Sequence, residues 1–236
     1  MDAVILAAGL GTRLRPLTLK TPKPLLAVGG KSILTHTLDA LPPEIDRIVI
    51  VVGYLSEQIV AAIGTNYNGR PVTYVHQEKL GGTGAALVAA KVGLRPGTFL
   101  VLMGDDLYDA RDLQEMVKHP YAILVKEVSD PKRFGSIELN TDGYVAAIRE
   151  AGDGTPKPPY LVNCAVYTLD ERYFALPPRL TPKGEAGLPQ TMAQLAHLPA
   201  NQGGPQKITA VRAHEWYSVG TPEELEAVRA LPRFTR

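Results

Sequence analysis

The chain has 236 residues, 45% of them hydrophobic and 21% charged, and a formal net charge of +1. That length suits one α/β domain, or one with a small appendage, with a substantial core, and the near-neutral balance offers no polyanion-binding signal, which argues against nucleic acid as a partner. A single cysteine, Cys164, excludes an internal disulfide and fits a reducing cytoplasm, and no apolar stretch reaches membrane-spanning length or reads as a secretory signal.

Ala3-Val4-Ile5-Leu6 reads as a buried strand. It opens into Ala7, Ala8, Gly9 and Gly11, whose small side chains leave consecutive backbone N–H groups accessible to an anion. Arg13, Arg15, Lys20 and Lys23 follow, and prolines at 16, 22 and 24 predict a rigid cationic loop in place of a continuous helix. Two phosphate-loop patterns do not fit. A dinucleotide fingerprint needs a third glycine where Leu14 stands, and a Walker loop ending in Gly30-Lys31-Ser32 needs a glycine where Leu25 stands.

Apolar residues at 33, 34, 38 and 41 predict a helix over Ser32–Leu41, ended by Pro42-Pro43. The β-branched run Arg47–Val52 is a buried strand. Ser56 is the expected cap of a helix over Glu57–Ile63, which Gly64 terminates. Strands over Val72–His76 and Thr98–Met103 flank an alanine-rich helix over Thr83–Val92. This alternation predicts an α/β fold with a doubly wound, mostly parallel sheet. Ligands in such sheets bind beyond the carboxyl ends of the strands, where Gly9, Gln77 and Asp105 fall.

The second half predicts strands over Tyr121–Val128, Gly135–Leu139, Tyr144–Arg149 and Leu161–Thr168, with Asn140–Gly143 as a hairpin turn. Gly152–Pro159 is a polar loop. Helices are expected over Leu188–Leu198 and Glu223–Leu231, the latter opened by Thr221-Pro222-Glu223-Glu224. The five histidines show no catalytic spacing and read as packing or surface residues.

The stretch Leu6–Pro24, written Leu-Ala-Ala-Gly-x-Gly-Thr-Arg-Leu-x-Pro-Leu-Thr-x-x-x-Pro-Lys-Pro, resembles the signature of the sugar-1-phosphate nucleotidylyltransferases. The resemblance extends over essentially the whole chain. It implies a Rossmann-like, mostly parallel sheet in one domain spanning 1–236, with a nucleotide half over about 1–128 and a sugar half with a C-terminal helix over about 129–236. The activity it implies is attack by a sugar-1-phosphate oxygen on the α-phosphorus of a nucleoside triphosphate, with magnesium as cofactor. A phosphate monoester has its second pKa at about 6, so this nucleophile needs no general base.

By the same resemblance, Leu6, Ala7, Ala8, Gly9, Gly11, Thr12 and Thr83 contact the nucleotide, and Gln77 and Gly82 serve its base end. The Gln77 carboxamide offers a donor and an acceptor, matching the imide edge of uracil or thymine, and Gly82 lets the backbone approach the ring. Arg13 holds the departing pyrophosphate, Lys23 bridges the α-phosphate and the sugar phosphate, and Asp105 is the metal ligand. Asp106 is expected to be solvated or to cap the next segment, and Arg15 and Lys20 to be solvated.

On the sugar side the resemblance assigns Gly135, Glu150 and Asn163. Three departures stand beside it. The lysine usual after the glutamate is Ala151, with Lys157 as the nearby substitute; Gly187-Leu188-Pro189-Gln190 replaces a Glu-x-x-Thr-Asp element; and Trp216–Pro222 carries Ser218 where relatives place a second metal-binding aspartate. UTP or dTTP is the expected triphosphate. A GDP-mannose-type enzyme, suggested by Gly53-Tyr54-Leu55-Ser56-Glu57-Gln58, and a non-catalytic nucleotide-sugar-binding subunit, suggested by Ser218, stand as alternatives. The sugar stays open, as does assembly into a homo-oligomer.

Overall fold

A computed structural model describes residues 1–149 and 158–235. Glu150, Ala151 and Lys157, with most of the predicted 152–159 loop, lie outside the described residues. In chain order the first half runs β1 (Asp2–Leu6), β2 (Ala27–Val28), β3 (Lys31–Ser32), α1 (Ile33–Asp39), β4 (Arg47–Val52), α2 (Ser56–Ile63), β5 (Asn66–Tyr67), β6 (Arg70–His76), α3 (Thr83–Ala90), β7 (Phe99–Met103), β8 (Asp106–Tyr108) and α4 (Ala110–Met116). The second half runs β9 (Ala122–Glu127), β10 (Ser136–Leu139), β11 (Val145–Arg149), β12 (Leu161–Leu169), β13 (Arg179–Leu180), β14 (Ala186–Gly187), α5 (Leu188–Met192), β15 (Thr209–Arg212), β16 (Trp216–Ser218) and α6 (Pro222–Arg229).

Among the described residues, ten strands form one mixed sheet in the order β11-β10-β12-β7-β1-β4-β6-β5, with β9 pairing β12 and β15. Strands β7, β1, β4 and β6 are parallel, so the carboxyl ends of β1, β4, β6 and β7 open on one edge of the sheet. Strand β12 joins β7 antiparallel and carries the second half of the chain across. This is the mixed, mostly parallel α/β sheet that the alternation of elements predicts.

Alternate residues of the central strands face two cores. Val4, Leu6, Val49, Val51 and Val101 pack with Leu87 of α3 and Leu188 and Met192 of α5. Ala3, Ile5, Ile48, Ile50 and Leu102 pack with Leu34, Leu38, Ile59 and Leu113 of α1, α2 and α4. A strand buried on both faces needs apolar side chains at every position, which is why β1 and β4 read as unbroken runs. A third cluster joins the chain's two ends: Leu14, Leu26 and Val28 pack with Val219, Leu225, Val228 and Phe234.

Several boundaries differ from expectation. Leu55, left-handed at φ 52°, precedes α2, and Ser56 is the first helical residue without a capping bond. Helix α3 stops at Ala90 and tightens into a 3-10 turn over Lys91–Gly93, and α5 passes into a 3-10 turn over Ala193–His197. Helix α4 and strand β15 have no counterpart in the sequence reading: α4 is seven residues long, capped by the Asp109 carboxylate on Arg111 N–H, and pairs its short apolar face with β9 and β15. The Thr221 start of α6 forms as predicted, with a full capping box between Thr221 and Glu224. No helix among the described residues is long and apolar enough to cross a membrane.

Ile50 lies at the centre of β4 with no exposed surface. Ile50→Ala is expected to lower the unfolding free energy by about 2–5 kcal/mol, the range for a large-to-small change in a close-packed core, measured by denaturant titration.

Candidate active site

The loop after β1 is fixed by the strands beside it. Ala7 N–H donates to Val51 O at 2.8 Å and Gly104 N–H donates to Leu6 O at 2.9 Å. A Cβ at Gly53 would fall 3.0 Å from the Ala8 carbonyl oxygen, so that glycine lets the loop lie against the end of β4. Gly9 has nothing within 4 Å of its Cβ position and keeps the loop's cleft side bare. Gly11 adopts φ 61°, the left-handed conformation that glycine accepts without steric cost, and starts a 3-10 turn over Thr12–Leu14.

Beyond it the prolines do not leave an irregular loop. Two more 3-10 turns follow, over Leu17–Leu19 and Lys23–Leu25. Buried Thr18 donates its hydroxyl to Gly11 O at 2.8 Å. Tyr54 Oη donates to Thr18 O and Leu19 O, and Gln58 Nε2 donates to Lys20 O at 2.9 Å. The Gly53–Gln58 element therefore works as a brace for the loop. Arg15 and Lys20 are exposed, as expected.

Lys23 is delivered by the third turn to the floor of this loop. Its Nζ lies 2.5 Å from Asp105 Oδ2, with side-chain exposures of 8% for the lysine and 36% for the aspartate. A buried ammonium is tolerated when a carboxylate meets it at hydrogen-bond distance, and the pairing also orients both groups. Asp105 follows β7 directly, beyond Gly104, whose Cβ would come 3.1 Å from the Ala7 Cβ. Gln77 follows β6. Its N–H donates to Val52 O at 2.8 Å, and its side chain is 8% exposed.

These strand ends border a cavity of about 720 Å³. Leu6, Ala8, Gly9, Gly11, Thr12, Gln77, Gly82, Thr83, Asp105 and Asn163 line it. Ala7 is buried behind the loop and Lys23 lies beneath Asp105. Arg13 is not in the lining; it is exposed and reaches toward the start of α6. No histidine lines the cavity.

The sequence reading missed the segment 181–187, which spans the β13–β14 hairpin and forms one wall of the cleft. Its signal was the Pro182-Lys183-Gly184 turn. The hairpin is pinned to α3, with Ala186 N–H donating to Gly81 O at 2.8 Å and Leu188 N–H to Thr83 Oγ1 at 3.1 Å. At Gly82, φ is 90° and a Cβ would sit 2.5 Å from Ala186 O. Contact with the chain's own hairpin is thus already sufficient reason for a glycine there.

Gly135 and Asn163 are structurally committed as well. A Cβ at Gly135 would come 2.8 Å from Arg149 O, and Gly135 O accepts Asn163 N–H at 2.9 Å. Gly135 does not line the cavity. The Asn163 carboxamide donates to Tyr167 Oη at 2.7 Å and accepts Ala165 N–H at 2.8 Å, holding a bulge of β12 in which Ala165 has φ 57°.

Asp106 corrects an expectation. It is neither solvated nor a helix cap: its side chain is buried, Oδ2 accepts the Trp216 indole N–H at 3.1 Å, and Oδ1 accepts Val219 N–H at 3.2 Å. Burial, and then the neighbouring Asp105 charge, push its pKa up to about 6 against the pull of Lys23 and its two N–H donors. Antiparallel pairing of β16 with β8 puts Ser218 opposite Asp106, and Ser218 lines a separate cavity of about 360 Å³ with Phe134 and Trp216.

Among the described residues no cluster of three or more His, Cys, Asp or Glu is set to hold a metal. Asp105 alone, at the cleft and one-third exposed, nevertheless suits magnesium, which takes one or two carboxylates and completes its shell with phosphate oxygens and waters.

The family model for nucleotidyl transferases matches residues 2–231, and the chain belongs to that family. It is 35% identical over 197 residues to the bifunctional protein GlmU of Methanocaldococcus jannaschii, covering 83% of this chain and 47% of that protein. The chain therefore spans about half the length of that relative. It is 36% identical over 183 residues to the UTP–glucose-1-phosphate uridylyltransferase AglF of Haloferax volcanii, covering 74% of each. A UDP-glucose pyrophosphorylase solved with UDP-glucose superposes with a TM-score of 0.81 over 100% of this chain and 99% of that one, at 18% identity, a likeness of fold.

Asp106→Ala would strand two donors, the Trp216 indole N–H and Val219 N–H, in a buried setting. Each stranded donor costs about 1–3 kcal/mol. The expected outcome is a lowered thermal midpoint with a changed emission of Trp216, the single tryptophan.

Proposed function

We propose that this chain transfers a nucleotidyl group from a nucleoside triphosphate, UTP or dTTP by preference, to a sugar-1-phosphate, releasing pyrophosphate. The observation that carries the reading is Lys23, buried at the floor of a glycine loop and paired with Asp105, which lines the same cleft as Gln77. The loop offers bare backbone where phosphates would lie, and Gln77, 8% exposed at a strand end, offers the paired donor and acceptor that a pyrimidine imide edge needs.

In the proposed reaction an oxygen of the sugar phosphate attacks the α-phosphorus in line. The new P–O bond forms as the α–β bridging bond breaks, and the electron pair leaves with pyrophosphate. The attacking group is already anionic, which agrees with a cleft lined by no histidine. Catalysis then rests on positioning and charge. Lys23 meets the α-phosphate and the sugar phosphate, Arg13 meets the β- and γ-phosphates, and the loop from Leu6 to Thr12 orients the triphosphate. Asp105 would hold magnesium with phosphate oxygens and waters, supplying further charge neutralisation at the triphosphate. Asn163 stands at the far wall as the sugar-side residue of the cleft, with Glu150 and Gly135 as the further sugar-side candidates. The nucleotide half spans about 1–128 and the sugar half the remainder. Buried, unpaired Cys164 fits a reducing, cytoplasmic setting.

Lys23→Ala is expected to lower turnover by about a hundredfold or more, the scale of one lost transition-state charge contact, in an assay of pyrophosphate release. Near-wild-type turnover would refute the assigned role. Across triphosphates, UTP or dTTP should exceed GTP in kcat/KM, since a mismatched edge leaves buried polar groups unpaired at about 1–3 kcal/mol each; a preference for GTP would overturn the pyrimidine reading.

A further inference from the structure

We propose that Gly220, backed by the Glu224 carboxylate, is the seat that positions the Arg13 guanidinium, so that α6 sets the geometry of the triphosphate end of the cleft. The inference rests on the phosphate-binding reading of Arg13 for its consequence, though not for its geometry.

A Cβ at Gly220 would lie 3.2 Å from both Nη1 and Nη2 of Arg13 and 2.9 Å from Glu224 Oε2. Equal distances to the two terminal nitrogens mean that the guanidinium fork straddles the place a Cβ would take. Gly220 is outside the left-handed region, so its backbone does not call for glycine. What a Cβ there would meet is the ends of the Arg13 and Glu224 side chains.

The seat is rigid on both sides. Glu224 Oε2 accepts Gly220 N–H at 2.6 Å and Thr221 N–H at 3.1 Å, and Oε1 accepts Arg133 Nη2 at 2.8 Å, so the carboxylate is held from three directions. Arg13 emerges from a 3-10 turn whose next residue, Leu14, is 1% exposed. Leu14 packs in one apolar cluster with Val219, Leu225 and Val228. The backbones that carry the arginine and its seat are therefore anchored in the same core. In the proposed role the seat narrows the rotamers of Arg13, an exposed side chain, before a phosphate arrives, which spares binding part of that cost. The Gly-Thr-Pro-x-Glu run of residues 220–224 thus does two jobs, helix capping and arginine placement.

The test pairs spectroscopy with a double-mutant cycle on the full chain. In Arg-¹⁵N-labelled protein the Arg13 Nε–H resonance, assigned by its loss in Arg13→Ala, should move in Gly220→Ala and in Glu224→Gln, while the folded spectrum persists. In turnover with UTP, Gly220→Ala should lower kcat/KM for the triphosphate about tenfold, the scale of one weakened hydrogen bond to a charged group. In the Arg13→Ala background it should add no further loss. An unmoved Arg13 resonance in both variants overturns the seat. So does an equal loss in both backgrounds, or a gain in kcat/KM, which would mark Gly220 as a parking place that competes with substrate. If Arg13→Ala itself leaves kcat/KM unchanged, the phosphate role of Arg13 fails, and the resonance still decides the seat.

Discussion

One ion pair fixes the geometry of this cleft. Lys23 comes from a proline-braced loop and Asp105 from the end of β7, 82 residues later, and they meet at 2.5 Å. An ammonium this buried must have its partner or be expelled to solvent. Both segments are therefore bound to one geometry before any substrate arrives. The third 3-10 turn, the packing of Gly104 on Ala7 and the hydroxyl brace from Thr18 to Gly11 all serve that meeting.

The sheet supplies rigidity beneath it. Four parallel strands end on one edge, and their first residues beyond the ladder, Ala7, Gly53, Gln77 and Gly104, bring the loop, its brace, the carboxamide and the acid to a common rim. The antiparallel half closes the far side through Asn163 and the β13–β14 hairpin. The C-terminal helix then returns to the N-terminal loop through the apolar cluster shared by Leu14, Leu26 and Leu225. Residues near the two ends of the chain meet there.

What was legible in the sequence follows from what is local. The β-branched run of β4 and the Thr221–Glu224 capping box are decided within a few residues, and both form where the pattern puts them. The loop from Gly9 to Pro24 was legible as a rigid cationic turn because glycines and prolines act on their own backbone. What sequence could not supply is partnership across the fold. Asp106 read as a solvated acid because its donors, Trp216 and Val219, lie more than a hundred positions away. Gly82 and Gly135 stood out as glycines, yet the carbonyls that crowd them belong to Ala186 and Arg149. Helix α4 escaped notice because only Leu113 and Met116 among its residues are large and apolar; its Asp109 cap was the available sign.

The most direct test of the whole account follows the oxygen atoms. With UTP and sugar-1-phosphates labelled with ¹⁸O in the non-bridging phosphate oxygens, and magnesium present, mass spectrometry should find all the label in a nucleoside-diphosphate sugar and none in the pyrophosphate released. That distribution is required if the sugar phosphate attacks the α-phosphorus. Label in pyrophosphate or in free phosphate, or no nucleotide sugar formed from any pairing of triphosphate and sugar-1-phosphate, would contradict it.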